Sequence, residues 1–238
     1  MASVIRLYVD HPLGVGQSVP LNREQSHYLF GVMRRGVGEV LELFNGRDGE
    51  WLARVVQAGK RNAILLCESK SKPMMLPPDL WMMFAPIKKA RTDFIVEKAT
   101  EMGAAQILPV QTDFTNSERI RQDRLQNHAV EAAEQCGSTF VPPVMELQKL
   151  SKLLDGWDDR HIMFCDETLL GKAVALSQQP GPWAILIGPE GGFSPAERKR
   201  LEAMPQAQGV SLGPRILRAD TAAVAALALW QTSLGDWQ

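Results

Sequence analysis

The sequence predicts a two-domain α/β protein, in which a small β-rich domain precedes a larger domain built on a parallel sheet. Three observations lead to this prediction. Apolar residues alternate with period two in the first part of the chain, a proline-rich stretch follows, and beyond it short apolar segments alternate with amphipathic helical segments. With 238 residues, 45% apolar and 22% charged, the chain has an ordinary globular composition and can bury a sizeable core.

The first domain is predicted at residues 1–70. Asn22 is a good N-cap residue and predicts a short helix over residues 22–35, while Asn45 to Gly49 supply the residues of a hairpin turn. Strands are predicted at residues 4–9, 39–44, 50–57 and 61–68. The helix and the strands together make a small β-rich domain.

A proline-rich stretch at residues 69–78 marks the predicted boundary, because neither a helix nor a central strand tolerates Pro73, Pro77 and Pro78 so close together. The second domain is predicted at residues 71–238. Its strands are predicted at residues 80–85, 106–110, 161–165, 183–187 and near residue 210. Its helices are predicted to end at Met102, to span residues 118–136, to run from the cap at Ser194 to about Met204, and to span residues 220–234.

Two glycine-containing turns follow strands of the second domain. In the first, Pro189 cannot continue a strand, and Gly191 and Gly192 permit positive φ and leave the backbone open to a ligand. Ser194 and Glu197 then form a capping box that starts a helix. A second strand, Gly-Pro turn and helix start lie at residues 210–222. Because the carboxyl ends of parallel strands share one edge of a sheet, the two turns can enclose one pocket.

The two turns carry a family resemblance. GPEGGFS at residues 188–194 and LGPRILRADTA at residues 212–222 resemble the RsmE family of 16S ribosomal RNA methyltransferases, within the SPOUT superfamily. The resemblance extends to EKATEMG at residues 97–103 and to HYLFGVMRRGVGEVLELFNG at residues 27–46. It implies an α/β fold in which a PUA-like β-barrel domain precedes a SPOUT-type, trefoil-knotted parallel-sheet domain.

The resemblance also implies an activity and its partners. The expected reaction is methylation of N3 of a uridine in 16S ribosomal RNA, with S-adenosylmethionine as methyl donor and the small ribosomal subunit as the setting. A homodimer formed through the knot helices is expected too, and the odd number of widely spaced cysteines separately predicts a cytoplasmic location. By the same resemblance Cys165, Ile187, Gly188, Glu190, Gly192, Leu212, Gly213, Ile216 and Leu217 are expected to hold the cofactor.

Three residues are candidates for catalysis. Arg218 is expected to stabilise anionic character on the uridine or to contact phosphate, and Asp220 is a candidate base at the mouth of the pocket. The family usually has glutamate where this chain has Asp220, so Glu97 is an alternative base. The residues expected to contact RNA are Arg6, Arg34, Lys88, Arg91, Arg121 and Arg124.

Composition restricts the classes of function. Three widely spaced cysteines form no ligand pattern with the four histidines, which predicts reduced thiols and no metal. No apolar run is long enough to span a bilayer, and the N-terminus lacks the pattern of a signal peptide. A formal net charge of −1 gives no general attraction to RNA, so an RNA site must be a local patch.

Other functions are compatible with the same residues. A SPOUT methyltransferase acting on tRNA or large-subunit RNA would use the same cofactor loops. In a non-catalytic RNA-binding protein, the glycine turns would be structural only, and failure to bind S-adenosylmethionine would indicate this class. A dinucleotide-binding oxidoreductase is disfavoured, since no GxGxxG motif stands at a strand-to-helix turn.

Overall fold

The computed structural model describes residues 4–116, 119–171, 176–177 and 179–237, which belong to two compact units. Unit 1 comprises Met1–Leu76 and Ala133–Val141, and unit 2 comprises Pro77–Ala132 and Pro142–Gln238. The assignment of Ala133–Val141 to unit 1 has no counterpart in the sequence-based division. The predicted domain limits of 1–70 and 71–238 remain a prediction.

Unit 1 contains a five-stranded mixed sheet in the order β1-β3-β4-β5-β2. Its strands are β1 (Arg6–Tyr8), β2 (Ser18–Leu21), β3 (Val40–Phe44), β4 (Glu50–Gln57) and β5 (Ala63–Lys72). β1 pairs parallel with β3, and the other pairs are antiparallel. Alternate residues of these strands point inward, and Leu41, Leu43, Val55 and Leu65 are almost completely buried in the core of the unit.

Two elements of unit 1 depart from the sequence-based predictions. The helix α1 (Arg23–His27) begins at the predicted N-cap Asn22, which forms a capping box with Gln25, and gives way to a π-helical turn at Tyr28–Val32. Arg34 then adopts a φ of 53°, so the helical backbone ends before the predicted limit at Arg35. Strand β2 was not predicted, because it is short and contains Pro20, which is tolerated at the edge of a sheet.

Glu50 is the centre of a buried ion-pair network in unit 1. Its side chain is fully buried and accepts bonds from Arg6 Nε at 2.6 Å, Ser71 Oγ at 3.0 Å and Lys72 Nζ at 3.2 Å. Burial by itself raises the pKa of Glu50, but the bonds from Arg6, Lys72 and Ser71 outweigh burial and leave the pKa below its usual value of 4.5. The ionised carboxylate is therefore the form that the folded unit stabilises.

Replacing Glu50 with glutamine is expected to destabilise the protein by about 3 kcal/mol, because the largely buried guanidinium of Arg6 loses its nearer counter-charge and keeps only Glu42, at 3.9 Å. Since the pKa of Glu50 is lower in the folded state, its contribution to stability is full above about pH 4.5 and is lost as the pH falls through the folded-state pKa. Urea unfolding of both proteins at pH 7 and at pH 3 measures this. A difference that stayed constant between these pH values would contradict the prediction.

Unit 2 contains a six-stranded, all-parallel sheet in the order β11-β9-β10-β6-β7-β8. Its strands are β6 (Leu80–Phe84), β7 (Gln106–Gln111), β8 (Gln148–Lys149), β9 (His161–Cys165), β10 (Trp183–Ile187) and β11 (Ala207–Val210). The predictions for β6, β7, β9 and β10 are confirmed. Every residue of β10 is buried, as expected for a central strand covered on both faces.

The longer helices of unit 2 follow its strands. They are α2 (Lys89–Glu101), α3 (Gln122–Cys136), α4 (Leu150–Asp155), α5 (Pro195–Glu202) and α6 (Ala219–Ser233). The end of α3, from Ala133 onward, belongs to unit 1. The start of α3 was predicted at Glu118, which lies outside the described residues. Leu125 and Ala129 are buried on α3 as predicted, whereas Cys136, predicted on the inner face, is exposed at the end of the helix. No helix among the described residues is both long and apolar enough to cross a membrane.

The turn after α2 and the last helix α6 are in direct contact. Gly103 has a φ of 77°, and a Cβ atom there would lie 2.9 Å from Gln231 Nε2, which donates a hydrogen bond to Met102 O at 2.6 Å. α6 buries a face that includes Ala223, Ala226 and Leu227, while other apolar residues of the helix are only half-buried. The half-buried residues are Val224, Ala225, Ala228 and Leu229.

Candidate functional site

A cavity of about 210 Å³ lies at the carboxyl ends of β9, β10 and β11. The loops that follow these three strands supply its walls, as expected for a ligand site of an open parallel sheet. All nine residues predicted to hold the cofactor, from Cys165 to Leu217, line this cavity together with Arg218. The lining residues that were not predicted are Asp166, Glu167, Leu170, Pro189, Val210, Ser211, Arg215, Ala219 and Ala222.

The loop after β10 is held in a tight turn. Gly192 N donates to Pro189 O at 2.9 Å, and Gly192 has a φ of 69°, in the left-handed region that favours glycine. A Cβ atom at Gly192 would collide with the carboxylate of Glu167, which belongs to the loop after β9. Glycine at this position therefore allows two of the three loops to approach each other closely.

The predicted capping box fixes the end of this loop. Ser194 Oγ accepts from Glu197 N at 3.2 Å, and Ser194 N donates to Glu197 Oε2 at 2.9 Å. The hydroxyl of Ser194 also donates to Asp113 Oδ2 at 2.5 Å, and Asp113 N donates to Glu197 Oε1 at 2.9 Å. The start of α5 is thus bonded to the turn after β7, which the sequence did not indicate.

Asp166 and Arg198 form an ion pair that joins the loop after β9 to α5. Arg198 Nε lies 3.1 Å from Asp166 Oδ2, and the side chain of Asp166 is only 2% exposed and also accepts from Thr168 N at 2.9 Å. Arg198 was missed, because its partner is distant in sequence and no local pattern connects them. The sequence could have indicated Asp166 as a residue of the site, because it directly follows a buried strand, at the edge of the sheet where ligands bind.

Cys165 lines the cavity, and its thiol is expected to react slowly. Burial raises the pKa of its thiol to about 12. The thiolate, which is the nucleophilic form of cysteine, is therefore disfavoured at pH 7.

We expect iodoacetamide at pH 8 to modify one thiol per chain rapidly. Cys136 is exposed, whereas burial raises the pKa of both Cys67 and Cys165 and slows the reaction of their thiols. Mass spectrometry of the alkylated protein measures the count, and Cys136→Ser is expected to remove the rapid phase. Rapid labelling of Cys165 in the folded protein would contradict the assignment.

The three predicted catalytic residues have different surroundings. Arg218 is exposed at the start of α6 and lines the cavity. Asp220, in the first turn of α6, lies with its Oδ2 3.6 Å from Arg91 Nε and is not among the lining residues. Glu97 also lies outside the lining set, with its Oε1 3.0 Å from His128 Nδ1. The structure thus brings only Arg218 of the three to the cavity wall.

The residues predicted to contact RNA fall into two groups. Arg6 is largely buried and donates to Glu50 and to the carbonyl oxygens of Ala133, Glu134 and Ser138 at 2.6–2.9 Å. These bonds occupy its guanidinium group, so we do not retain Arg6 among the proposed RNA contacts. Arg34, Lys88 and Arg121 are exposed, and Arg91 is partly exposed.

Arg124 and Arg121 lie at a second, basic cavity of unit 2. Its lining residues are Pro86, Ile87, Lys89, Thr92, Arg119, Ile120, Arg121, Arg124 and Leu125. Arg124 forms a bidentate pair with Asp93, with both N–O distances at 2.6 Å, and exposed Arg121 lies 2.6 Å from Asp123. Four cationic side chains line this cavity and no acidic side chain of the described residues does, although Asp93 and Asp123 each pair with one of the four. The cavity is therefore locally basic on a chain of net charge −1.

The first cavity has the chemical features that S-adenosylmethionine requires. Apolar side chains suited to an adenosyl group come from Ile187, Leu212 and Leu217, and the glycines leave backbone groups accessible. Glu167 and Glu190 place carboxylates on the wall, which complement a ligand that carries positive charge. Among the described residues, no group of three His, Cys, Asp or Glu side chains is arranged to hold a metal ion.

Comparison with known proteins agrees with this arrangement. The family model described as "RNA methyltransferase domain" matches residues 74–231, and that described as "RNA methyltransferase PUA domain" matches residues 21–66. Ribosomal RNA small subunit methyltransferase E of Rickettsia conorii is 29% identical over 94% of this chain and 93% of its own. The protein of the same name from Synechocystis is 30% identical over 94% of this chain and 76% of its own.

Solved structures give the same result. Ribosomal RNA small subunit methyltransferase E of Neisseria gonorrhoeae, bound to S-adenosylmethionine, aligns with a TM-score of 0.88 at 28% identity, covering 99% of this chain and 100% of that one. A putative methyltransferase of Legionella pneumophila with the same bound cofactor aligns with a TM-score of 0.90 at 28% identity over the same shares. From the two family matches, the relatives and the shape of the cavity, the chain belongs to the ribosomal RNA small subunit methyltransferase E family of RNA methyltransferases.

Proposed function

We propose that this protein methylates N3 of a uridine in 16S ribosomal RNA, with S-adenosylmethionine as the methyl donor. The observation that carries the proposal is the cavity at the carboxyl ends of β9, β10 and β11, in which every predicted cofactor residue is a wall residue. The relatives that match over nearly the whole chain are named for methylation of small-subunit ribosomal RNA, which supports the substrate.

S-adenosylmethionine supplies a methyl group on a sulfonium, so transfer needs no further activation of the donor. The residues of this chain would hold and orient the ligand. The tight loop from Gly188 to Gly192 offers backbone groups, and Ile187, Leu212 and Leu217 exclude water from the apolar part. Holding the methyl donor and the uracil ring in a reactive geometry lowers the activation free energy by roughly 7–11 kcal/mol at most.

The N3 atom of uracil carries a proton that must leave before the methyl group can be accepted. Arg218 stands at the cavity wall with an exposed guanidinium, which would stabilise the negative charge that develops on the uracil ring. Asp220, held by Arg91 in the first turn of α6, is retained as the candidate base that takes the proton. Glu97, whose Oε1 lies 3.0 Å from His128 Nδ1, remains the alternative base.

We also propose a homodimer, a trefoil-knotted unit 2 and action on the small ribosomal subunit in the cytoplasm. The half-buried apolar face of α6, with Val224, Ala225, Ala228 and Leu229, supports a contact between two copies. The PUA match at residues 21–66 supports an RNA-binding role for the domain at residues 1–70, with the catalytic domain at residues 71–238. Exposed Arg34 is the basic contact that we retain there.

The test is methyl transfer from labelled S-adenosylmethionine to four substrates: unmethylated small ribosomal subunits, naked 16S RNA, large-subunit RNA and tRNA. Mass spectrometry of the digested RNA identifies the modified nucleoside. We expect 3-methyluridine in 16S RNA, with faster transfer to assembled subunits. Methylation of a different nucleoside or of a different RNA would change the substrate that we assign. If the protein neither transferred the methyl group nor bound the cofactor, the proposal would be overturned.

A further inference from the structure

Phe114 is an exposed aromatic residue placed directly beside the cofactor loop. Its side chain is 45% exposed, and a Cβ atom added to Gly191 would lie 3.4 Å from its Cβ and 3.6 Å from its Cδ2. The neighbours of Gly191 in the chain, Glu190 and Gly192, line the cavity. Phe114 therefore contacts the outer side of the loop whose inner side forms the cavity wall.

The backbone that carries Phe114 is held on both sides. Thr115 N donates to Thr112 O at 3.1 Å, and the hydroxyls of these two threonines lie 2.8 Å apart. Asp113 is bonded to the start of α5 through Ser194 and Glu197. An exposed large apolar side chain costs free energy in water, and here a bonded turn keeps it in one place.

Positive charge lies further along the same connection between β7 and α3. Arg119 and Arg121 follow Phe114 in the chain and line the basic cavity together with Lys89 and Arg124. Proteins that bind single-stranded nucleic acid combine aromatic side chains that stack on bases with basic surfaces that contact the phosphates. The basic cavity therefore favours an RNA strand as the partner of Phe114 over a second protein surface.

We propose that Phe114 is a stacking platform for a base of the RNA substrate beside the cofactor cavity, with the basic cavity receiving a nearby phosphate. This inference rests on the proposed RNA methyltransferase activity and adds the residue that holds the base. A base that must leave its stack to reach an active site loses stacking energy, and an aromatic side chain at the rim replaces part of it. Phe114 acts as a binding residue and takes no part in bond breaking.

The experiment measures steady-state methyl transfer to small subunits, RNA binding by fluorescence anisotropy, and cofactor binding by calorimetry. Phe114→Ala is expected to raise the KM and the Kd for RNA by about 5- to 150-fold, the range that loss of one stacked base produces. The Kd for S-adenosylmethionine is expected to stay within about twofold of its original value, because Phe114 does not line the cavity. Phe114→Trp is expected to restore binding, whereas Phe114→Leu, apolar without an aromatic face, is not.

Phe94→Ala is the matched control, since Phe94 is also an exposed phenylalanine, 38% exposed, on α2. It is expected to leave RNA binding unchanged. The inference is overturned if the original protein methylates RNA and Phe114→Ala binds RNA equally well, if Phe114→Leu binds as well as Phe114→Trp, or if Phe114→Ala converts a dimer to a monomer. Failure of the original protein itself to bind and methylate RNA would overturn the proposed function and, with it, this inference.

Discussion

Gly192→Val is expected to weaken the binding of S-adenosylmethionine by at least about 100-fold, which corresponds to about 2.7 kcal/mol. The φ of Gly192 is 69°, and a β-branched residue is a genuine outlier in this region. A side chain there would also displace the carboxylate of Glu167 from its position against the loop. Both effects act on residues of the cavity wall. Calorimetry with the purified variant measures the dissociation constant.

A double variant separates the two effects. Glu167 is exposed, so its carboxylate can move, and Gly192→Ala combined with Glu167→Ala removes the collision while keeping the backbone strain. Because Glu167 also lines the cavity, the reference for the double variant is Glu167→Ala alone. If the carboxylate collision dominates, Gly192→Ala is expected to weaken binding less in the Glu167→Ala background than in the original protein. Gly156→Val is the control, because Gly156 ends α4 with a φ of −108° and has open space around it. Unchanged cofactor binding by Gly192→Val would exclude a role for this loop.

Local patterns predicted most of the parallel sheet. The limits of β9 and β10 agree with the predictions, because short, continuous apolar runs bounded by turns are characteristic of buried strands. The capping box at Ser194 was equally readable, since a serine and a glutamate three residues apart bond to each other within one helical turn. These features depend on residues that are near neighbours in the chain.

Features that depend on distant residues were not predictable. Arg6 was expected to face RNA, and instead it donates to carbonyl groups 127 to 132 residues away. Arg198 gave no local signal for its pairing with Asp166. A charged side chain has the same local pattern whether it faces water or a partner from another element. The cavity residues were found because a family motif, and not periodicity, identified them.

The partners of two carboxylates on α2 were likewise not predictable from the sequence. Glu97 and Glu101 are four residues apart on α2, a spacing that also suits a paired-carboxylate site. In the structure each has a different neighbour, the imidazole of His128 for Glu97 and the ammonium of Lys98 for Glu101. Spacing along a helix determines which residues share a face, whereas the partner on that face comes from the tertiary fold.

Arg218→Ala is expected to lower the kcat for methyl transfer by about 100-fold or more, while the Kd for S-adenosylmethionine changes by less than about threefold. Removal of one group that stabilises a developing anion has an effect of this size. Arg218→Lys keeps the charge and loses the planar geometry, so we expect it to recover part of the rate. Arg200→Ala is the control, because Arg200 is partly exposed, pairs with Asp155 and does not line the cavity.

The kinetic pattern of Arg218→Ala distinguishes its two possible roles. If the guanidinium stabilises the uracil anion, the loss is expected in kcat and to shrink as the pH rises, because more of the uridine is then already deprotonated. If Arg218 holds a phosphate of the RNA, the variant is expected to have a higher KM than the original protein at every pH. The ratio of the two KM values is then expected to fall as the salt concentration rises. An unchanged kcat together with an unchanged KM would remove Arg218 from the site, and the stabilisation of the anion would then fall to another group on the cavity wall.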